Sequence, residues 1–142
     1  MMLVLLMASN LISFYFPDGS LDEMVFDHQL SRGEAALSSS THVTKGNTDR
    51  ETWSCLDEEG LNRYLGSLSL GHVPGIITPL PDAEEMIFLY DTPEGMIGLA
   101  IQEETITVTR FGDLRFSKGQ QVYYVTGKVD LERVKGYFQK GF

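Results

Sequence analysis

One cysteine and three histidines are the residues with the most reactive side chains in this sequence. Cys55 lies near the start of a predicted helix, where the helix dipole lowers a thiol pKa and favours a nucleophile. The carboxylates at positions 57–59 act in the opposite direction, and Trp53 and Leu56 give the thiol apolar neighbours. Cys55 is therefore predicted to be a small buried hydrophobic residue.

His28, His42 and His72 form no HxH, HxxxH or CxxH pair. A single cysteine also excludes a CxxC metal site and an internal disulfide framework. The acidic segment 82–104 lacks the spacing of an EF-hand loop, so it predicts no calcium site. The sequence therefore predicts no metal site and no cofactor.

The sequence also lacks the common phosphate-binding, dinucleotide-binding and nucleophile motifs. Thr126-Gly127-Lys128 lacks the earlier glycine and the following Ser or Thr of a phosphate-binding loop. No GxGxxG follows a strand, and no GxSxG elbow occurs. The sequence predicts no catalytic residue, and an enzyme is the less favoured interpretation.

Charge is the most informative feature of the chain. Eleven Lys and Arg against twenty Asp and Glu give a net charge of −9. Nucleic acids and anionic membranes need a cationic surface, so neither is an expected partner. Residues 1–104 carry four bases and seventeen acids, whereas residues 105–142 carry seven bases and three acids. A field of this sign steers a cationic protein toward the chain.

These observations favour a small acidic protein-binding module. It resembles inhibitors and immunity proteins at the level of a class only, and it would neutralise a cationic protein partner by occlusion. The predicted partner-binding residues are the acids of the segment 82–104 and one aromatic anchor: Asp82, Glu84, Glu85, Tyr90, Asp91, Glu94, Glu103 and Glu104.

Two alternatives stay open. The chain is either a small-molecule-binding domain or small enzyme with a pocket between sheet and helices, or an oligomerisation subunit that uses an exposed sheet edge, with a homo-oligomer as one form.

The hydrophobic patterns predict strands in the second half of the chain. Residues 86–90, 96–101, 105–109 and 121–125 read as successive strands joined by short turns. Ile106 and Val108 alternate with threonines, which predicts a half-buried strand. A hairpin is expected at 11–16 and 21–26, around the turn residues 17–20.

Two helices are predicted. The first spans about 55–67, with Ser54 and Asp57 as a capping box, and the second follows Asp130 as N-cap and stops near Gly141. Residues 31–52 are rich in Ser, Thr, Gly and charge, which predicts a long flexible loop.

The expected fold is a single α+β domain over residues 1–142, an antiparallel β-meander sheet with two helices packed on one face. Residues 1–7 are apolar but lack the basic start of a signal peptide, and no run is long enough to span a bilayer. Either this stretch is a buried first strand, or Met7 is the natural start and residues 1–6 are surplus. A cytoplasmic protein is expected.

Overall fold

A computed structural model describes residues 19–43, 50–71, 83–111 and 120–140. These contain nine strands and three helices. The strands are β1 (Gly19–Ser20), β2 (Ala36–Val43), β3 (Arg50–Cys55), β4 (Ser69–Gly71), β5 (Glu85–Thr92), β6 (Gly95–Ile101), β7 (Thr105–Phe111), β8 (Gln120–Val125) and β9 (Phe138–Lys140). The helices are α1 (Leu21–Met24), α2 (Glu58–Gly66) and α3 (Leu131–Lys135).

All strands belong to one antiparallel sheet in the order β1-β4-β8-β7-β6-β5-β2-β3-β9. The run β5 to β8 is the predicted meander, and the single-domain α+β class is confirmed. On β5, Met86, Phe88 and Tyr90 alternate with less buried residues and are completely enclosed. They belong to one hydrophobic core that continues through β6, β7 and the helices.

The sheet curves strongly at the β9 end. Phe88 of β5 and Phe138 of β9 stack in parallel with 5.4 Å between ring centroids. Two strands, β2 and β3, lie between them in the sheet order. Because neighbouring strands are about 4.8 Å apart, a flat sheet would separate these rings by three spacings. The β9 edge therefore folds back over the core face.

The helix starts follow side-chain capping. Asp57 is the N-cap of α2, and its carboxylate accepts a hydrogen bond from the amide of Gly60 at 2.9 Å. Ser54 lies within β3. The predicted helix is thus confirmed, but its capping box is not. Asp130 caps α3 as predicted, although that helix ends at Lys135. The expected stop at Gly141 lies outside the described residues.

The first predicted hairpin is wrong in its second half. Residues 21–24 form α1, because Ser20 and Glu23 make a reciprocal capping box. This box satisfies helix N–H groups locally and so favours a helix over an extended strand. Residues 11–16 and 1–7 lie outside the described residues.

The predicted flexible loop at 31–52 is wrong at 36–43 and 50–52, where the chain forms strands, while residues 44–49 lie outside the described residues. β2 lies between β5 and β3 in the sheet, and β3 begins at Arg50. Polar side chains of β2 face the interior with partners, since Ser40 donates to the carbonyl of Trp53 and His42 contacts Glu84. Composition therefore misled the prediction, because this strand buries polar groups that are hydrogen-bonded.

β7 is buried on both faces near its start, whereas its alternating apolar and polar residues predict a strand buried on one face only. Thr105 and Thr107 are each 7% exposed, although they occupy the face opposite Ile106 and Val108. Among the described helices, α1 and α2 contact each other and α3 places Val134 in the core. No described helix is long and apolar enough to cross a bilayer.

Candidate binding site

A cleft of about 430 Å³ lies where the segment after α1 meets the ends of β6 and β7. Its volume is in the range of ligand pockets in proteins. Apolar and charged side chains line it together. The lining residues are Val25, Phe26, Asp27, Gln29, Thr92, Glu94, Gly95, Met96, Ile97, Arg110 and Phe111.

Two contacts fix the wall formed by residues 25–29. The buried ring of Phe26 meets Tyr90 edge-on, with centroids 5.2 Å apart. Arg110 donates from Nη1 to the carbonyl of Val25 at 3.0 Å, so β7 holds the start of this wall. A wall tied to the sheet at both points offers a preformed surface to a ligand.

The backbone at the cleft mouth is in an unusual conformation. Asp27 and His28 have φ of 48° and 66°, the left-handed region that favours glycine. The next residues are held by the buried carboxylate of Asp22, which accepts from the amide of Leu30 at 2.9 Å. The strained turn thus projects both side chains, which are exposed, beside the cleft.

The charges of the cleft are unequal. Asp27 and Glu94 supply two carboxylates, and Arg110 supplies one cation that is already bonded to a carbonyl. Glu94 accepts from the amide of Gln29, which is a neutral donor, so its charge is not compensated by that bond. No described cation pairs with Asp27. The side chains that line the cleft therefore carry one more negative than positive charge.

The acidic segment divides between the two ends of the sheet. Asp91 and Glu94 flank the β5–β6 turn beside the cleft. The register places Met86 opposite Ile101, so the carboxylates at and just before the start of β5 and those after β6 lie at the opposite end. These are Glu84, Glu85, Glu103 and Glu104, whereas Asp82 lies outside the described residues. The described acids of the predicted partner-binding set therefore lie at two ends of the sheet.

Glu84 is occupied by two partners within the protein. Its Oε2 lies 2.8 Å from Nε2 of His42 and also binds Nζ of Lys135. Burial raises the pKa of Glu84, but hydrogen bonds from Lys135 and His42 outweigh it and lower the pKa overall. Burial lowers the pKa of Lys135, and its bonds to Glu84 and Glu132 raise it overall. The cluster therefore links β2, the residue before β5 and α3 within the fold.

Three other predicted residues at this end also have internal partners. Glu85 accepts from the side-chain amide of Gln102 at 3.1 Å. Lys128 lies 3.5 Å from Glu103 and 3.8 Å from Glu104, and all three are largely exposed. Part of the acidic surplus is thus matched by the basic C-terminal third, and these pairs are weak because solvent screens them.

Tyr90 does not form part of a surface. Its side chain is completely buried, and its hydroxyl donates to Oδ1 of Asn62 at 2.7 Å. Burial raises its pKa far above the ordinary value. The prediction of Tyr90 as a partner-binding anchor is therefore wrong, because the core-facing side of β5 is covered by Phe26 and α2.

The reactive side chains form no catalytic arrangement in the described part of the chain. Burial raises the pKa of Cys55, and a hydrogen bond from the backbone of Asp57 only partly opposes this, so the thiol is not activated. The described residues hold no cluster of three metal-binding side chains. His28 is exposed and His42 is bound to Glu84, while His72 lies outside the described residues.

Of the residues that line the cleft, sequence reasoning singled out only Glu94 and missed, among others, Phe26, Asp27, Arg110 and Phe111. They come from segments 84 positions apart and meet only through the fold. Phe111 is 49% exposed, although its ring packs near Gly98, where an added Cβ would lie 3.2 Å away. Compared with protein-family models, curated proteins and solved structures, the chain shows no match.

Proposed function

We propose that the protein is a small acidic binding module that occludes a cationic protein partner through the cleft beside the β5–β6 turn. One observation carries the proposal. The cleft sets two carboxylates, Asp27 and Glu94, beside an apolar floor that includes Ile97 and the half-exposed ring of Phe111. We also propose that the protein is cytoplasmic, where the Cys55 thiol stays reduced.

This arrangement suits a lysine or arginine side chain of the partner. Its methylene stem packs on Phe111 and Ile97, and its charged end pairs with Glu94 or Asp27. Arg110 repels a second cation at the cleft wall, so the cleft accepts one such side chain. The net charge of −9 raises the rate of encounter, while the buried contact sets the rate of dissociation.

Site-specific photo-crosslinking tests the location. A benzoylphenylalanine at Phe111 is expected to capture a partner in the cells that make the protein. The matched control is the same replacement at Leu56, which is 67% exposed and lies in the β3–α2 turn. Capture at Leu56 but not at Phe111 would contradict the proposed cleft.

Paired charge neutralisation tests the chemistry. Asp27→Asn with Glu94→Gln is expected to slow association and weaken binding of the captured partner. Glu103→Gln with Glu104→Gln removes the same charge at the other end of the sheet and serves as control. Equal losses in both double variants would show that only overall charge matters and not the cleft.

A small amphoteric ligand is the second candidate. It is favoured by Arg110 lining the same cavity as Asp27 and Glu94, within a volume that accepts a small molecule. A thermal-shift screen of free amino acids and short peptides tests it. A zwitterion that stabilises the wild type but not Arg110→Met would establish this function in place of protein docking.

A further inference from the structure

The first half of β2 has an edge that no described strand covers. β3 pairs with β2 only through Thr41–Val43. From Trp53 onward β3 pairs instead with β9. Ala36, Ser38 and Ser39 are exposed, in keeping with an open edge. Backbone groups of residues 36–39 that point away from β5 therefore have no ladder partner among the described strands.

A groove of about 830 Å³ begins at this edge. It is bounded by Ala35 and Ala36, by the segment that precedes them, and by the exposed side of α2. Of residues 36–39, Ala36 lines this groove, and side chains of α2 line it on the other side. An extended peptide needs such a combination, since main-chain bonds give affinity and side-chain contacts give specificity.

The charges of the groove favour a cationic occupant. Both of its arginines are already paired, Arg32 with Glu34 at 2.8 Å and Arg63 with Glu59 at 3.1 Å. Glu58 is exposed on the same helix, and no described cation pairs with it. The groove lining therefore retains negative charge that an incoming lysine or arginine can neutralise.

We propose that residues 36–39 of β2 accept an extended cationic segment of a protein partner as an added strand, with its basic side chains facing α2. This inference rests on the proposed function in one respect, because it takes the partner to be a cationic protein. It uses a surface separate from the cleft. The edge is short and carries a bulge between Leu37 and Ser39, features that limit self-association.

The test uses a synthetic peptide, acetyl-Lys-Val-Lys-Val-Lys-Val-amide. Its control has the same sequence and charge but is N-methylated at alternate residues, which removes the main-chain donors needed for strand addition. The unmodified peptide is expected to bind about tenfold or more tightly than the control, because several backbone hydrogen bonds are lost. It should also slow amide exchange at the edge-facing amides of residues 36–39.

Three variants separate strand addition at β2 from binding in the cleft. Glu58→Gln is expected to weaken peptide binding, and Glu104→Gln is the matched control that should leave it unchanged. Asp27→Asn with Glu94→Gln removes the cleft carboxylates and should not affect peptide binding. The peptide result is therefore independent of whether the cleft binds a partner. Equal binding of both peptides, or edge-facing amides already protected in the free protein, would overturn the inference.

Discussion

The imidazole Nε2 of His42 lies 2.8 Å from the Oε2 carboxylate oxygen of Glu84. Because a carboxylate only accepts, Nε2 carries the hydrogen, and Nδ1 is left as a buried atom with no hydrogen-bond partner among the described residues. The Trp53 ring lies 4.8 Å from the imidazole. The His42–Glu84 hydrogen bond joins β2 to the residue before β5. Lys135 of α3 also binds Glu84 and so connects α3 to both.

Replacing Glu84 tests how far this cluster stabilises the fold. Glu84→Gln is expected to lower the free energy of unfolding at pH 7 by about 1–3 kcal/mol, since it removes charge-assisted bonds to His42 and Lys135. Denaturant unfolding measures it. Glu132→Gln breaks only an exposed contact to the same lysine and should change stability little.

The effect of Glu84 should depend on pH with a defined sign. Its pKa is lower in the folded protein than the ordinary value of 4.5. The stabilisation is therefore present above the unfolded-state pKa and is lost as pH falls through the folded-state pKa. Wild type and Glu84→Gln should therefore converge in stability as the pH falls below 4.5 and through the lower folded-state pKa of Glu84. A difference that persists unchanged at low pH would contradict this assignment.

The second half of the fold could be predicted because its signals are local. Residues 86–101 combine apolar runs with a Pro-Glu-Gly turn, and Asp130 provides a helix cap that needs no distant partner. Each of these features favours the same structure at the level of neighbouring residues, and the structure confirms them.

The first half could not be predicted because its stability depends on distant residues. β2 is polar in composition and becomes a central strand only through partners such as Glu84 and the Trp53 carbonyl. The cleft likewise joins Val25 to Arg110 across the fold. By contrast, the Ser20 and Glu23 capping box was visible in the sequence, and it would have predicted α1.

Removing the Tyr90 hydroxyl tests its role in the core. Tyr90→Phe is expected to destabilise the protein by about 1–2 kcal/mol, because Oδ1 of Asn62 loses its donor in a partly buried site. Tyr124→Phe is the matched control, since Tyr124 is 43% exposed. The measurement is thermal or denaturant unfolding. Equal small losses in both variants would show that the Asn62 bond contributes nothing.

At the left-handed turn beside the cleft, two substitutions of His28 are expected to change stability in opposite directions. His28→Gly is expected to raise stability by up to about 1 kcal/mol, because glycine adopts a φ of 66° without a steric penalty. His28→Val is expected to lower it by about 1–2 kcal/mol, since a branched side chain disfavours this region. Thr126→Gly, at an exposed turn residue without positive φ, should be destabilising.

Unfolding measurements on the three variants check the turn. If both His28 variants were destabilised equally, the backbone conformation at this position would not be the limiting factor. The glycine variant should also retain the cleft, because the side chain of His28 does not line it.

Gly60 of α2 lies close to the ring of Tyr137 in the C-terminal segment. A Cβ at this position would lie 2.3 Å from Oδ2 of Asp57 and 2.8 Å from the ring of Tyr137. Gly60→Ala improves helix propensity by about 1 kcal/mol but forces out the capping carboxylate and the ring. We expect a net loss of about 1–3 kcal/mol, measured by denaturant unfolding. The control is Glu59→Ala on the exposed face of α2. Asn62→Ala is unsuitable because it also removes the hydrogen-bond partner of Tyr90. A Gly60→Ala protein as stable as the wild type would show that α2 and Tyr137 can separate without cost.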